Sequence, residues 1–157
     1  MSSEELKLFN NKPKYKIKET GEIVDFHWLE KIIACHQERL KILSEIGELS
    51  DFFFKEKIEY EKDLLKWKEM TDEEIINSLD KSEKILSQID EKDWQKETIE
   101  QALMEGAGAD RGSLLWPLRV VLSGKKASAS PFDIVNILGK EKTLKRISDA
   151  RQKLEAL

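Results

Sequence analysis

Apolar residues recur at intervals of three and four along most of this chain, which is the spacing of one face of an α-helix. The first such stripe follows Asp25, a suitable N-cap residue, and continues to a helix end near Gly47. Its members are Leu29, Ile32, Ile33, His36, Leu40, Leu43 and Ile46. Because strand-like alternation is scarce, the pattern predicts an all-α fold.

Two polar signals divide the helical pattern. Thr71 and Glu74 have the spacing of a capping box, which predicts a helix beginning at residue 72. The polar stretch Asp90–Asp93 then interrupts the apolar periodicity. We expect this break to separate two packed helical subdomains, 26–92 and 93–157.

An N-terminal arm, residues 1–25, carries a strand-like pattern. The segments YKIK and EIVDF flank Glu19–Thr20–Gly21, and alternating residues around a turn favour paired strands. The pattern predicts a short hairpin or an extended arm over 14–25.

The run from Leu114 to Leu122 is almost wholly apolar around a single charge, Arg119. A charge in such surroundings needs a partner, so Arg119 is expected either to pair with an acid such as Asp133 or to point at a ligand. Pro117 lacks a backbone N–H, which predicts a kink or a helix start at that residue.

Another capped helix follows this run. Ser130 is the expected N-cap, Pro131 takes the first helical position, and Gly139 ends the helix. The final helix is expected to bury Leu144, Ile147 and Leu154.

Composition narrows the possible chemistry. The 157 residues contain one cysteine, Cys35, and two histidines, His27 and His36, which argues against a disulfide framework and a zinc site. His36 lies on an apolar stripe and is expected to be a core residue. No apolar run approaches the roughly 20 residues that cross a bilayer. We therefore expect a cytoplasmic protein with no membrane contact.

Charge is distributed unevenly. Residues 111–157 contain ten Lys and Arg against four Asp and Glu, a net charge of +6, within a chain whose net charge is −4. A basic segment attracts phosphates, whereas the acidic remainder disfavours non-specific nucleic-acid binding. The same lysines and arginines could equally form the solvated faces of helices.

Three segments together resemble a known family. They are LWPLRVVLSG at 115–124, SPFD at 130–133 and ILGKEKTLKRI at 137–147. They resemble the C-terminal end of bacterial-type glutamyl-tRNA synthetases, which are class I aminoacyl-tRNA synthetases. That family ends in a Pro-Leu-Arg-x-x-Leu-Ser/Thr-Gly element and a Leu-Gly-Lys-Glu helix at this spacing. The resemblance implies a helical cage that binds the anticodon.

The resemblance extends upstream, but the sequence lacks the elements with which this family holds ATP. ERLKIL at 38–43 and the phenylalanines at 52–54 are similar to the family's first anticodon-binding subdomain, whereas residues 1–25 match nothing in it. The family's His-Ile-Gly-His-like and Lys-Met-Ser-Lys-Ser-like elements, which hold ATP, are absent from the sequence. We therefore expect no cofactor in this chain, with ATP and Mg²⁺ confined to a missing catalytic domain.

The resemblance also implies the site residues. It places Arg119 and the stretch 128–132 at the anticodon, with Arg39 as a candidate for the first anticodon base. The candidates for base contact are Arg119, Ser128, Pro131, Phe132 and Arg39. The candidates for phosphate contact are Lys125, Lys126, Lys145 and Arg146. The implied partners are the anticodon stem-loop of tRNA(Glu) and the N-terminal catalytic domain of the parent enzyme, and the chain is expected to be monomeric.

A second hypothesis is a stand-alone helical protein-interaction module. It would use exposed apolar surface at Trp116 and at Phe52–Phe54. Three adjacent phenylalanines cannot share one helical face, however, so we expect these rings to pack between elements.

Overall fold

The computed structural model describes residues 14–37 and 46–157. Two compact units make up the chain, residues 1–56 and residues 57–157. Helices dominate the described residues, with a two-stranded hairpin near the N-terminus. The predicted all-α fold and the predicted hairpin are both confirmed.

The first unit begins with the hairpin. Strand β1 (Lys14–Lys16) pairs antiparallel with β2 (Ile23–Asp25), and Tyr15 stands opposite Val24. The turn closes with a hydrogen bond from the Gly21 N–H to the Ile17 carbonyl oxygen at 2.8 Å. Gly21 has φ +76°, a conformation that glycine adopts at little cost.

Three helical segments follow the hairpin. Helix α1 (Phe26–His36) begins at Asp25, whose carboxylate accepts a 2.8 Å hydrogen bond from the Trp28 N–H, as predicted. Helix α2 (Ile46–Ser50) leads into a 3-10 turn at Asp51–Phe54.

The core of this unit contains residues of α1 and the phenylalanines of the 3-10 turn. His36 is fully buried, as expected of a core residue, and its Nδ1 donates to the Ile32 carbonyl oxygen at 2.8 Å. Phe52 and Phe53 are buried, so these rings pack within the fold. Ile33 departs from the predicted stripe because it is 44% exposed. Leu40 and Leu43 lie outside the described residues.

The second unit contains a 3-10 turn at Lys62–Leu65 and then five α-helices. Their bounds are α3 (Asp72–Ser87), α4 (Lys96–Ala107), α5 (Arg111–Ser123), α6 (Pro131–Leu138) and α7 (Lys140–Glu155). Helix α3 packs against α4, α5 and α7, while α6 packs against α4, α5 and α7. The predicted capping box is present, since Thr71 N–H donates to Glu74 Oε2 at 2.7 Å and Glu74 N–H donates to Thr71 Oγ1 at 3.2 Å.

The units divide at Glu56 and Lys57, whereas the sequence predicted a boundary near 90–93. The reason is that α3 buries its apolar face against α5 and α7, which lie beyond the polar break. Ile75, Leu79 and Leu86 on this face have no exposed surface. The polar break is a 3-10 turn, Glu91–Asp93, inside the second unit.

Helix α5 runs through Pro117 and begins six residues before it, so a helix start at Pro117 is wrong. Asp110 caps the true start by accepting a hydrogen bond from the Ser113 N–H at 3.3 Å. Pro117 cannot donate to the Ser113 carbonyl oxygen one turn earlier. That oxygen instead accepts a 2.7 Å hydrogen bond from Ser78 Oγ on α3, which compensates for the missing donor.

No helix among the described residues is long and apolar enough to cross a membrane.

Candidate nucleic-acid interface

Arg119 lies on α5, four residues before the last helical residue, Ser123. At about 1.5 Å of rise per residue, this places it roughly 6 Å from the helix end. Its side chain is half-buried. Ser123 Oγ donates to the Arg119 carbonyl oxygen at 2.7 Å and accepts from the Lys125 N–H at 3.1 Å. These bonds fix the backbone between Arg119 and the loop that follows.

Gly124 forces the chain to turn at the end of α5. Its φ of +71° belongs to the left-handed region, and a Cβ there would lie 3.0 Å from the Glu59 carbonyl oxygen. Any other residue would therefore be strained and would crowd the neighbouring backbone. The turn directs residues 125–130, which we call the α5–α6 loop, across the second unit.

The α5–α6 loop has one inward-facing and one outward-facing part. Ser128 is buried, and its hydroxyl donates to the Ala129 carbonyl oxygen at 2.8 Å. Lys125 is half-buried, whereas Lys126 and Ala127 are exposed. The loop therefore offers Lys126 to the solvent and holds the Ser128 hydroxyl within itself.

The start of α6 already holds an anionic group. Ser130 Oγ accepts from the Asp133 N–H at 3.2 Å and donates to Asp133 Oδ2 at 2.7 Å, which confirms Ser130 as N-cap. Asp133 Oδ1 also lies 2.9 Å from Lys96 Nζ, and this hydrogen bond raises the pKa of Lys96. A carboxylate at a helix N-terminus occupies the position that a phosphate would favour. The Asp133 carboxylate therefore already occupies the N-terminus of α6.

One of the two expectations for Arg119 is that it pairs with an acid such as Asp133. Both of its carboxylate oxygens are engaged by Lys96 and Ser130. Pro131 at the first position of α6 is buried, and Phe132 is half-buried. Since α5 packs directly on α6, the helix of Arg119 adjoins the helix that begins with Pro131 and Phe132.

The two phosphate-contact candidates on α7 differ in exposure. Lys145 is exposed and lies 2.8 Å from Asp149 Oδ2 one turn later. Arg146 is only 6% exposed, and its Nη1 donates to the Leu122 carbonyl oxygen at 2.6 Å. A cation at the last turn of α5 stabilises carbonyl groups that have no helical partner. Arg146 is thus directed into the protein and not towards an external phosphate.

Sequence reasoning missed two side chains that fix the start of α4 on α6. Trp94 Nε1 donates to the Val135 carbonyl oxygen at 3.2 Å, and Lys96 binds Asp133 as described above. The polar break before Trp94 gave no indication that its neighbours contact residues about 40 positions away.

Phe52, Phe53 and Trp116 of the protein-interaction hypothesis take part in packing, whereas Phe54 is half-buried. Phe52 and Phe53 are buried, and Trp116 Nε1 donates to the Leu64 carbonyl oxygen at 2.9 Å. The Trp116 ring also stacks at a tilt against Trp67, with 5.4 Å between centroids. Arg39 lies outside the described residues. Within those residues, no three His, Cys, Asp or Glu side chains come together as a metal site.

Several curated glutamate–tRNA ligases are similar to this chain. The enzyme of Clostridium tetani is 41% identical over 137 residues, covering 83% of this chain and 27% of that protein. The enzyme of Clostridium kluyveri is 36% identical over 148 residues, covering 91% of this chain and 29% of that protein. The chain thus spans less than a third of the length of these relatives.

A solved structure shows the same fold. The glutamate tRNA ligase of Elizabethkingia meningosepticum superposes with a TM-score of 0.70 at 23% identity, covering 96% of this chain and 28% of that one. The family described as "Anticodon binding domain" matches residues 7–151, which includes most of the arm that the sequence resemblance left unplaced. The chain therefore belongs to the anticodon-binding domain family that occurs in glutamate–tRNA ligases.

Proposed function

We propose that this chain recognises the anticodon of tRNA(Glu) as the C-terminal part of a glutamate–tRNA ligase. The parent enzyme would make Glu-tRNA from ATP, glutamate and tRNA. The family match over residues 7–151 carries the proposal, because it places the whole second unit apart from its last residues within an anticodon-binding domain. The similarity to curated glutamate–tRNA ligases supports the choice of tRNA.

Arg119 is the proposed specificity residue. A guanidinium offers a fixed fork of donors and no acceptor, so it matches the acceptor edge of one base and rejects an edge that presents amino groups. Unpaired anticodon bases are accessible to such a group because they are not stacked in a helix. The bonds of Ser123 hold the backbone of α5 at this point, which keeps the position of Arg119 defined.

The α5–α6 loop and the start of α6 form the rest of the proposed site. Phe132 supplies half-buried apolar surface beside the bases, and Lys126 supplies an exposed cation for the RNA backbone. Pro131 is buried, so it fixes the start of α6 and does not contact a base. Ser128 contributes by shaping the loop, since its hydroxyl is bonded within it. Lys145 is a more distant phosphate contact. ATP and Mg²⁺ belong to a catalytic domain outside these 157 residues.

The test is binding of fluorescently labelled anticodon stem-loops to the intact chain. A stem-loop with the glutamate anticodon should bind more tightly than the same stem with a substituted anticodon base, since each mismatch costs about 1–3 kcal/mol when an edge is read. Calorimetry with ATP or glutamate should show no saturable binding. Equal affinity for all stem-loops, or saturable ATP binding, would overturn the proposal.

A further inference from the structure

The first unit contains a cavity of about 600 Å³ where the hairpin meets α1 and the 3-10 turn. Its apolar lining includes Val24 of β2, Leu29 of α1 and Phe54. Small-molecule sites in proteins commonly measure roughly 300–1,000 Å³. The cavity is therefore large enough to accept one planar ring system with an attached charged group.

Two aromatic residues, Tyr15 and Phe54, line this hairpin cavity. Tyr15 stands opposite Val24 in the ladder, so their side chains lie on the same face of the hairpin. The Tyr15 side chain is 43% exposed, which is unusual for a large ring beside an apolar cavity. Phe54 is held by an edge-on contact with Trp28, with 5.5 Å between centroids. Phe54 thus offers a fixed surface and Tyr15 an accessible one.

The charges around the hairpin cavity favour an anion. Lys16 and Lys18 line it together with one acid, Glu19. Within the part of the chain that the structure describes, neither lysine has an ion-pair partner. Many other lysines do have one; for example, Lys62 and Lys84 each lie 2.6 Å from an aspartate oxygen. Two lysines against one carboxylate give the described lining of the cavity a net positive charge.

We propose that the hairpin cavity binds one unpaired nucleotide of the RNA that the chain recognises. The base would lie against Tyr15 and Phe54. Lys18 and Lys16, which projects from the opposite face of β1 to Tyr15, would contact its phosphate at the edge of the cavity. This inference rests on the proposed function. Stacking on an aromatic ring tolerates every base because each base has a π-face, and a lysine is a point charge without directional selectivity. The hairpin cavity therefore adds affinity but does not distinguish anticodons.

The test uses the full chain and a fluorescently labelled tRNA(Glu) transcript. Tyr15→Ala removes the ring and should weaken binding by about 5- to 150-fold, which corresponds to the loss of stacking by one base. Tyr15→Phe keeps the ring and should bind within about twofold of the wild type. Because the hairpin cavity reads no base edge, Tyr15→Ala should weaken matched and mismatched anticodons by the same factor.

A second pair of variants tests the charges without altering the packing. Lys16→Gln with Lys18→Gln should lower the slope of log affinity against log salt by about one to two units. The matched control is Lys14→Gln with Lys31→Gln, which removes two exposed lysines of the same unit that do not line the hairpin cavity. This control should reduce the slope distinctly less.

The outcomes separate this inference from the proposed function. If the wild type discriminates anticodons while the Tyr15 and Lys16/Lys18 variants bind like the wild type, the hairpin cavity has no role and the proposed function stands. Equal salt slopes for the two double variants would likewise overturn the inference, as would loss of discrimination in Tyr15→Ala. If Tyr15→Ala shows no thermal unfolding transition and is therefore not folded, the salt slopes of the two double lysine variants test the inference instead.

Discussion

Basic residues of segment 111–157 lie both on the face where α7 packs against α3 and in the α5–α6 loop, but their contacts differ. On the face, Arg151 lies 3.2 Å from Asp80 and also binds Glu83, while Lys140 Nζ donates to the Ser87 and Ile89 carbonyl oxygens at 3.0 and 2.6 Å. In the loop, Lys126 is exposed to solvent.

This difference shows that net charge overstates the surface available to RNA. Residues 111–157 carry a net charge of +6, yet Arg151, Lys140 and Arg146 are committed to the fold. Each of these cations either bridges two helices or stabilises the carbonyl end of one. Among the other basic residues of this segment, Arg119, Lys125 and Lys126 lie near the end of α5.

The largest expected effect comes from replacing Arg146, one of the cations that stabilise the fold. Arg146→Met removes the donor to the Leu122 carbonyl oxygen within the core and should lower the free energy of unfolding by about 2–3 kcal/mol. The melting temperature should fall by about 10 °C, and the folded protein should discriminate anticodon stem-loops as before. Chemical denaturation and stem-loop binding measure the two effects.

The matched control for this variant is Arg111→Met, which removes an exposed arginine at the start of α5. Its unfolding free energy should remain close to that of the wild type. If Arg146→Met were stable but bound RNA more weakly, Arg146 would belong with the RNA-binding residues.

The opposite behaviour is expected at Arg119. Arg119→Ala should weaken binding of the matched stem-loop by about 1–3 kcal/mol and reduce discrimination, because a directional donor fork is lost. Arg119→Lys keeps the charge and should restore affinity but not discrimination. Melting temperatures should stay near that of the wild type. A variant that is unstable yet still discriminates would assign Arg119 to the fold.

Local features of this fold could be predicted from sequence because their causes lie within a few residues. Asp25, Thr71 and Ser130 cap helices through groups three positions away, so the spacing alone identifies them. The hairpin over 14–25 follows from alternation around one glycine turn. Each of these predictions is confirmed by the structure.

Features that depend on distant partners could not be predicted in this way. The Ser78 hydroxyl compensates for Pro117 across 35 positions, and nothing in the spacing pairs them. Arg146 is a phosphate-contact candidate in the sequence analysis, but its side chain is buried. Arg146 lies three residues after Thr143 and four before Ala150, which are both buried. This spacing, which belongs to one helical face, was a usable signal.

A smaller effect should separate two lysines of equal charge. Lys126→Gln should lower the salt slope of RNA binding by about one unit. Lys145→Gln should lower it less, because Asp149 already lies 2.8 Å from that ammonium group. Lys81→Gln, an exposed position on α3, is the control for general charge effects. Equal slopes for the Lys126 and Lys145 variants would show that ion pairing on α7 does not limit phosphate contact.

The smallest effect is expected at Lys96, whose ion pair with Asp133 joins α4 to the start of α6. Lys96→Met removes the bridge to Asp133 and should lower the unfolding free energy by about 0.5 kcal/mol, since the lysine side chain is 43% exposed.

The hydrogen bond to Asp133 raises the pKa of Lys96 above 10.5, its ordinary value. The stabilisation is therefore complete below pH 10.5 and disappears as the pH rises through the folded-state pKa. Tyr60, whose pKa burial raises to about 12, titrates in both proteins and cancels from their difference. Lys92→Met is the control because its 3.9 Å ion pair with Asp90 is largely exposed. A stability difference between wild type and Lys96→Met that did not diminish as the pH rose beyond 10.5 would show that the Lys96 ammonium does not stabilise the start of α6.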